Sequence, residues 1–117
     1  MGPTLLIVDD HADFRTFARA LLTAEGCTVV GEAADGAGAL AAVAALRPEV
    51  VILDIALPDL DGIAVAAQLA TIDNSPTVVL VSSRDASAYG TRLTTAAAAG
   101  FLPKSALSRR AITDLIA

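Results

Sequence analysis

Residues 50–62 read VVILDIALPDLDG. Val50 to Leu53 are aliphatic with no polar alternate, so they describe a strand buried on both faces, as in a parallel sheet covered by helices. The run ends on a carboxylate, Asp54, and the pair Asp61-Gly62 then marks a helix start. A buried strand that hands over to a helix through a short loop is the repeating unit of an α/β domain.

Working outward, the same unit recurs on both sides. Leu5 to Val8 and Val78 to Val81 are equally unbroken, and Thr28 to Glu32 and Gly100 to Leu102 are weaker strand candidates. The segment after the first strand carries Phe14, Phe17, Ala18, Leu21 and Leu22 at helical spacing, closed by Gly26. A second helix follows Asp35 and Gly36, turns Leu40, Val43 and Ala44 inward and stops before Pro48. The third carries Val65, Leu69 and Ile72 and dissolves in Asp73–Pro76. A fourth is expected over Ala86 to Ala99, with Ala86, Tyr89, Gly90, Leu93 and Ala97 as its apolar stripe. The fifth follows Pro103, uses Leu107, Ala111 and Leu115, and runs to Ala117. Five βα units predict a doubly wound parallel sheet with helices on both faces, because crossovers are right-handed.

Composition agrees with one domain over residues 1–117. Of the 117 residues 26 are alanine, four are aromatic and none is tryptophan, so the core is aliphatic and the helices are alanine-rich. A net charge of -5 argues against nonspecific nucleic-acid binding by this chain. The single cysteine, Cys27, excludes an internal disulfide and reads as a small hydrophobe opening a strand. No apolar run reaches the ~18 residues of a membrane span, and the start MGPT lacks a signal peptide's basic segment. A soluble, cytoplasmic protein is expected.

In an open parallel sheet, ligands sit beyond the carboxyl ends of the strands. There the strands deliver Asp9 and Asp10, then Asp54, then Ser82 and Ser83, then the only lysine of the chain, Lys104. Crowded carboxylates repel unless a cation compensates, and Mg²⁺ held by a few carboxylates leaves positions open for phosphate oxygens. A lysine and a hydroxyl beside such a set can neutralise and hydrogen-bond a phosphoryl group. No Gly-rich loop ending in GK[ST] is present, so the set is suited to accept a phosphoryl group on a carboxylate and not to grip a nucleotide.

Asp9-Asp10 after the first strand, Asp54 within ILDIALPDLDG, Ser82 ending the fourth strand and Phe101 shortly before Lys104 together resemble the receiver domain of two-component response regulators. VDDH, GEAADG and GFLPKSAL look most like receivers of the NarL/LuxR type. The resemblance covers the whole chain and implies a flavodoxin-like (βα)5 fold with a five-stranded parallel sheet in the order 2-1-3-4-5. It implies that Asp54 is the phosphoacceptor, receiving its phosphoryl group from a sensor histidine kinase. Asp10, Asp54 and the backbone carbonyl of Ala56 would hold Mg²⁺ directly, and Asp9 would act through metal-bound water. Lys104 would contact the phosphoryl group, Ser82 would turn to hydrogen-bond it, and Phe101 matches a ring that reorients on activation. Pro58 and Gly62 match the shaping of the loop after the acceptor.

Such a domain catalyses its own phosphorylation and dephosphorylation but works as a switch. The expected readout is a homodimer or an output contact, through the first helix or through the face of the fourth helix, fifth strand and fifth helix with Arg109 and Arg110. Transcription would then be regulated through a helix-turn-helix DNA-binding domain after Ala117, with no direct nucleic-acid or membrane contact by these residues. Two departures from the pattern stand out. Phe101 lacks the hydroxyl of the tyrosine common there in the family, and Ala56 and Arg84 match positions that in the family tune phosphoryl lifetime.

Plainer readings stand beside these. Asp9-Asp10 can cap a helix, Asp54 can be a turn residue, Ser82 can satisfy a strand end, Lys104 can be a surface charge and Phe101 can be core packing. His11 reads as exposed in a first helical turn, and Asp61 as a helix cap. A pseudo-receiver would keep the fold as a binding module without phosphorylation. A dinucleotide-binding domain would use Gly36, Gly38 and Ala41 as a G-x-G-x-x-A motif with Asp54 on a ribose.

Overall fold

A computed structural model describes residues 2–116. The strands β1 (Thr4–Val8), β2 (Thr28–Ala33), β3 (Val50–Asp54), β4 (Thr77–Ser82) and β5 (Gly100–Pro103) alternate with α1 (Ala12–Ala24), α2 (Gly36–Leu46), α3 (Gly62–Leu69), α4 (Thr91–Thr94) and α5 (Arg109–Ile116). All pairings are parallel and the order is β2-β1-β3-β4-β5. This is the flavodoxin-like topology expected. In register, Val8 lies beside Leu53 and Asp54 beside Val81, so the strand ends form one edge.

Successive strand residues point to opposite faces and divide the core in two. Leu6, Val8, Val51, Leu53, Val78 and Leu80 meet Ala39 and Val43 of α2 and Val65, Ala66 and Leu69 of α3. Leu5, Ile7, Val50, Ile52, Val79 and Val81 meet Ala18 and Leu22 of α1 and Ile112 of α5. The weak strand candidates are the two edge strands, and neither contains a fully buried residue.

Helix stripes are narrower than the sequence suggests. Phe17 is 55% exposed, Ala44 faces out, and Ile72 lies beyond the end of α3 at 42% exposed. After Leu69 the chain tightens into short turns, with Thr71 N–H bonding Gln68 O and Ile72 N–H bonding Leu69 O.

The expected continuous helix over Ala86–Ala99 is not formed. A 3-10 turn covers Ala86–Ala88, Gly90 interrupts at φ 57° and ψ -135°, and α4 is four residues long. That backbone conformation favours glycine. The Thr94 and Thr95 hydroxyls both bond the Thr91 carbonyl, a local competition with the helical ladder. The fifth helix is likewise delayed by a 3-10 turn at Lys104–Ala106 and starts at Arg109, with Ser108 Oγ accepting from Ala111 N–H. Its expected last residue, Ala117, lies outside the described residues.

Candidate functional site

The core has three buried polar residues among the described ones: Asp9, Asp54 and Ser82. Asp9 follows β1, Asp54 closes β3 and Ser82 closes β4, so all three lie at the carboxyl edge of the sheet. Lys104, just beyond β5, reaches back to them. Its Nζ lies 2.5 Å from Asp9 Oδ2 and 3.3 Å from Asp54 Oδ2, and 4.6 Å from the centre of the Phe14 ring. The aromatic face adds a favourable contact for the ammonium.

Asp9 Oδ1 accepts the His11 backbone N–H at 2.8 Å, and the His11 ring Nδ1 lies 3.1 Å from Asp9 Oδ1 and 3.1 Å from Asp10 Oδ1. Arg15 Nη1 donates to the Asp9 carbonyl at 2.6 Å. Asp54 Oδ1 accepts the Ala56 N–H at 3.1 Å. Gly62 N–H bonds Ile55 O at 2.8 Å, and a Cβ on Gly62 would strike the Asp54 carbonyl and Ile55 Cα. Only glycine lets α3 begin this close to the strand that presents Asp54. Ser82 Oγ accepts the Arg84 N–H at 3.0 Å and lies 2.5 Å from the Tyr89 hydroxyl oxygen. The half-buried Phe101 ring packs on Tyr89, centroids 6.2 Å apart.

Burial pushes the Asp54 carboxyl above its usual range. The Ala56 N–H opposes that, Asp9 adds to it and Lys104 relieves part of it. Burial works against the Lys104 ammonium, but pairing with Asp9 and Asp54 outweighs it and leaves the lysine raised.

A dication fits this donor set. Ligand atoms of Asp9, Asp10, His11 and Asp54 all lie within 4.8 Å of one another. Asp9 Oδ2 is buried and meets the Lys104 ammonium at 2.5 Å as an ion pair, with no other donor directed at it. Three carboxylates against one lysine leave negative charge in excess, which a bound divalent cation offsets.

The sequence pattern of the family described as response regulator receiver domain matches residues 5–117. This chain belongs to that family. The receiver is 40% identical over 101 residues to a Mycobacterium tuberculosis relative named "Probable transcriptional regulatory protein NarL", covering 86% of this chain and 47% of that protein. The solved signal receiver domain of NarL from Mycobacterium tuberculosis superposes with a TM-score of 0.86 at 36% identity, over 97% of this chain and 94% of that one. The CheX-CheY-BeF3-Mg complex from Borrelia burgdorferi gives 0.79 at 26% identity, over 97% of this chain and 85% of that one. The receiver spans about half the length of the curated transcriptional regulators it matches.

Asp9, Asp10, Asp54, Ala56, Ser82 and Lys104 lie at or just beyond the strand ends, whereas Phe101 lies within β5 beside Leu80, packed on the apolar cluster. Asp10 and Ala56 sit on the exposed rim of that edge, and Asp61 caps α3 by accepting from Ile63 N–H at 2.8 Å. The Arg109 guanidinium, offered to a partner face by the sequence, instead donates to Glu25 O at 2.9 Å within the molecule. Cys27 is buried and burial pushes its thiol up, as suits an unreactive residue opening β2.

Four residues were not legible as members of the site or its frame. His11 joins the acidic group, Arg15 bonds Asp9, and Tyr89 meets Ser82. Asp59 caps α2 across the loop, accepting from Gly36 N–H at 2.7 Å and Ala37 N–H at 3.0 Å. These hydrogen bonds hold the Asp59 carboxyl below its usual range. With Gly38 N–H bonded to Asp35 Oδ1 and Ala39 N–H to Asp35 O, the first turn of α2 has no free donor for a pyrophosphate. The dinucleotide alternative fails there. Among the described residues no helix is long and apolar enough to cross a membrane.

Proposed function

We propose that this receiver is the phosphoacceptor of a two-component system, taking a phosphoryl group from a sensor histidine kinase onto Asp54. The observation that carries this is the placement of the buried polar residues Asp9, Asp54 and Ser82, with the only lysine, at one edge of an otherwise aliphatic core. Buried polar groups are costly, and a cluster of them argues for a chemical task.

A carboxylate oxygen of Asp54 attacks phosphorus, and the bond from phosphorus to the kinase's imidazole nitrogen breaks as the imidazole leaves. Asp10, Asp54 and the Ala56 carbonyl would hold Mg²⁺, with the Asp9 carboxylate beside them. When present, the ion supplies positive charge for the phosphoryl oxygens. Lys104, anchored by Asp9, neutralises a phosphoryl oxygen as its Asp54 contact is given over, and Ser82 donates a hydrogen bond to another. The BeF3 and Mg named for the similar Borrelia complex support a site in this fold that takes a dication together with a phosphoryl-like group. The names of the regulatory relatives, and the half of their length that lies outside the match, support an output step in transcription carried by a part other than the receiver.

Incubation with Mg²⁺ and acetyl phosphate tests the reading. Intact mass is expected to rise by one phosphoryl group in the wild type and to stay unchanged in Asp54→Ala. A folded wild type that gains no mass overturns it in favour of a binding module that keeps only the fold.

A further inference from the structure

His11 is the only histidine in the chain, and it stands at the N-cap of α1. That position favours serine, threonine, aspartate and asparagine, whose side chains accept from the first free N–H groups of the helix. The His11 side chain makes no such bond. Its ring is turned instead to the acidic pair, with Nδ1 3.1 Å from Asp9 Oδ1 and 3.1 Å from Asp10 Oδ1. Packing does not force it there, since the side chain is 70% exposed.

Asp9 divides the site. Its Oδ2 faces Lys104, which also contacts Asp54 Oδ2, while its Oδ1 faces His11. The lysine therefore neutralises one side of the carboxylates and the imidazole stands on the other. Ligand atoms about 2.1 Å from one ion lie roughly 3.0 Å apart at right angles and roughly 3.4 Å apart at the tetrahedral angle. The 3.1 Å from Nδ1 to each carboxylate suits neighbouring ligands of a single ion, and the four ligand atoms of Asp9, Asp10, His11 and Asp54 fall within 4.8 Å of one another. Carboxylates alone suit Mg²⁺, which takes oxygen ligands. An imidazole nitrogen adds little for Mg²⁺ and much for zinc, nickel and their neighbours.

We infer that His11 is a nitrogen ligand of the acidic site and makes it take imidazole-preferring divalent ions, of the zinc and nickel kind, in competition with Mg²⁺. This rests on the dication site of the phosphoacceptor reading above. In the free site Nδ1 carries the ring hydrogen, because ionised carboxylates only accept. With a transition ion in place, the Nδ1 lone pair faces the ion and the hydrogen sits on Nε2. Mg²⁺, held by oxygens, leaves the hydrogen on Nδ1.

The lone histidine reports its own ligation. The 117-residue chain is labelled with ¹⁵N in the imidazole and titrated with zinc chloride and, separately, with magnesium chloride. Zn²⁺ is expected to move the Nδ1 resonance and to transfer the ring hydrogen to Nε2, whereas saturating Mg²⁺ leaves it on Nδ1. Calorimetric titrations give both dissociation constants, and in His11→Asn the preference for Zn²⁺ over Mg²⁺ is expected to fall about tenfold or more. Asp54→Asn is expected to weaken Zn²⁺ binding as well, because one ion meets both residues. Three results overturn the inference: an Nδ1 resonance that Zn²⁺ does not move, an unchanged preference in His11→Asn, or equally tight Zn²⁺ binding in Asp54→Asn, the mark of a lone surface imidazole. In each case, mass gain by the wild type with Mg²⁺ and acetyl phosphate still upholds the phosphoacceptor reading, and absence of that gain overturns the reading whatever Zn²⁺ does.

Discussion

Asp54 is 3% exposed beside a second buried carboxylate, Asp9, with one ammonium between them. Its pKa is raised chiefly by burial, so the folded state binds a proton more readily than the unfolded chain does. From the ordinary carboxylate value of about 3.9 up to the raised one, stability therefore falls as pH rises, and above both values the full cost remains. In buffer free of divalent cations, Asp54→Asn is expected to stabilise the fold by roughly 1 kcal/mol, about 4 °C in Tm, and to flatten this pH dependence. Added Mg²⁺ should raise the Tm of the wild type and leave that of the variant in place; thermal melts with and without the ion decide it. A variant less stable than wild type without Mg²⁺ would mean that the Lys104 contact outweighs desolvation. At this scale Asp9, Asp10, Asp54, Ser82 and Lys104 were legible because each is a polar residue ending an apolar run. Tyr89 and Asp59 were not, because each meets its partner across a loop at no fixed sequence spacing.

The elements depend on a few close approaches. Gly62→Ala sets a methyl against the backbone of Asp54 and Ile55, which cannot swing aside, whereas Gly31→Ala presses on the end of the exposed Leu46 side chain and makes an ordinary contact with Leu6. The first is expected to cost about 2–3 kcal/mol and the second under about 1 kcal/mol, read from urea midpoints at unchanged m-value. The Asp59 cap of α2 carries its own pH signature. Its carboxyl is held low by the Gly36 and Ala37 N–H groups, so the cap stabilises α2 at neutral pH and is lost as pH falls through that lowered value. Asp59→Ala should speed amide exchange at Gly36 and Ala37 at pH 7, with the difference from wild type vanishing in acid. Helix positions followed from period and punctuation, with Gly26 closing α1 and Pro48 following α2. The break at Gly90 did not: apolar spacing across Ala86–Ala99 also fits a continuous helix, and only the observed φ of Gly90 distinguishes the two.

At the scale of the molecule, the sheet separates two apolar clusters, and the three polar side chains buried among the described residues lie at one edge between them. Arg110 is exposed while Arg109 is tied to Glu25, so a face formed by α4, β5 and α5 offers a partner the first charge more readily than the second. If phosphorylation drives dimerisation through that face, sedimentation should show a faster species with beryllofluoride and Mg²⁺, weakened in Arg110→Ala. Identical profiles with and without the mimic would rule out a phosphorylation-driven dimer. The sequence by itself determined the βα alternation, the strand order through the resemblance, and which polar residues crown the strands, because buried parallel strands are unbroken aliphatic runs and whatever ends them is visible. Only the tertiary structure decided that Lys104 reaches both Asp9 and Asp54, that Asp59 closes α2 and that Tyr89 holds Ser82. Those contacts join residues brought together by the packing of loops and strand ends, and linear spacing carries no record of them.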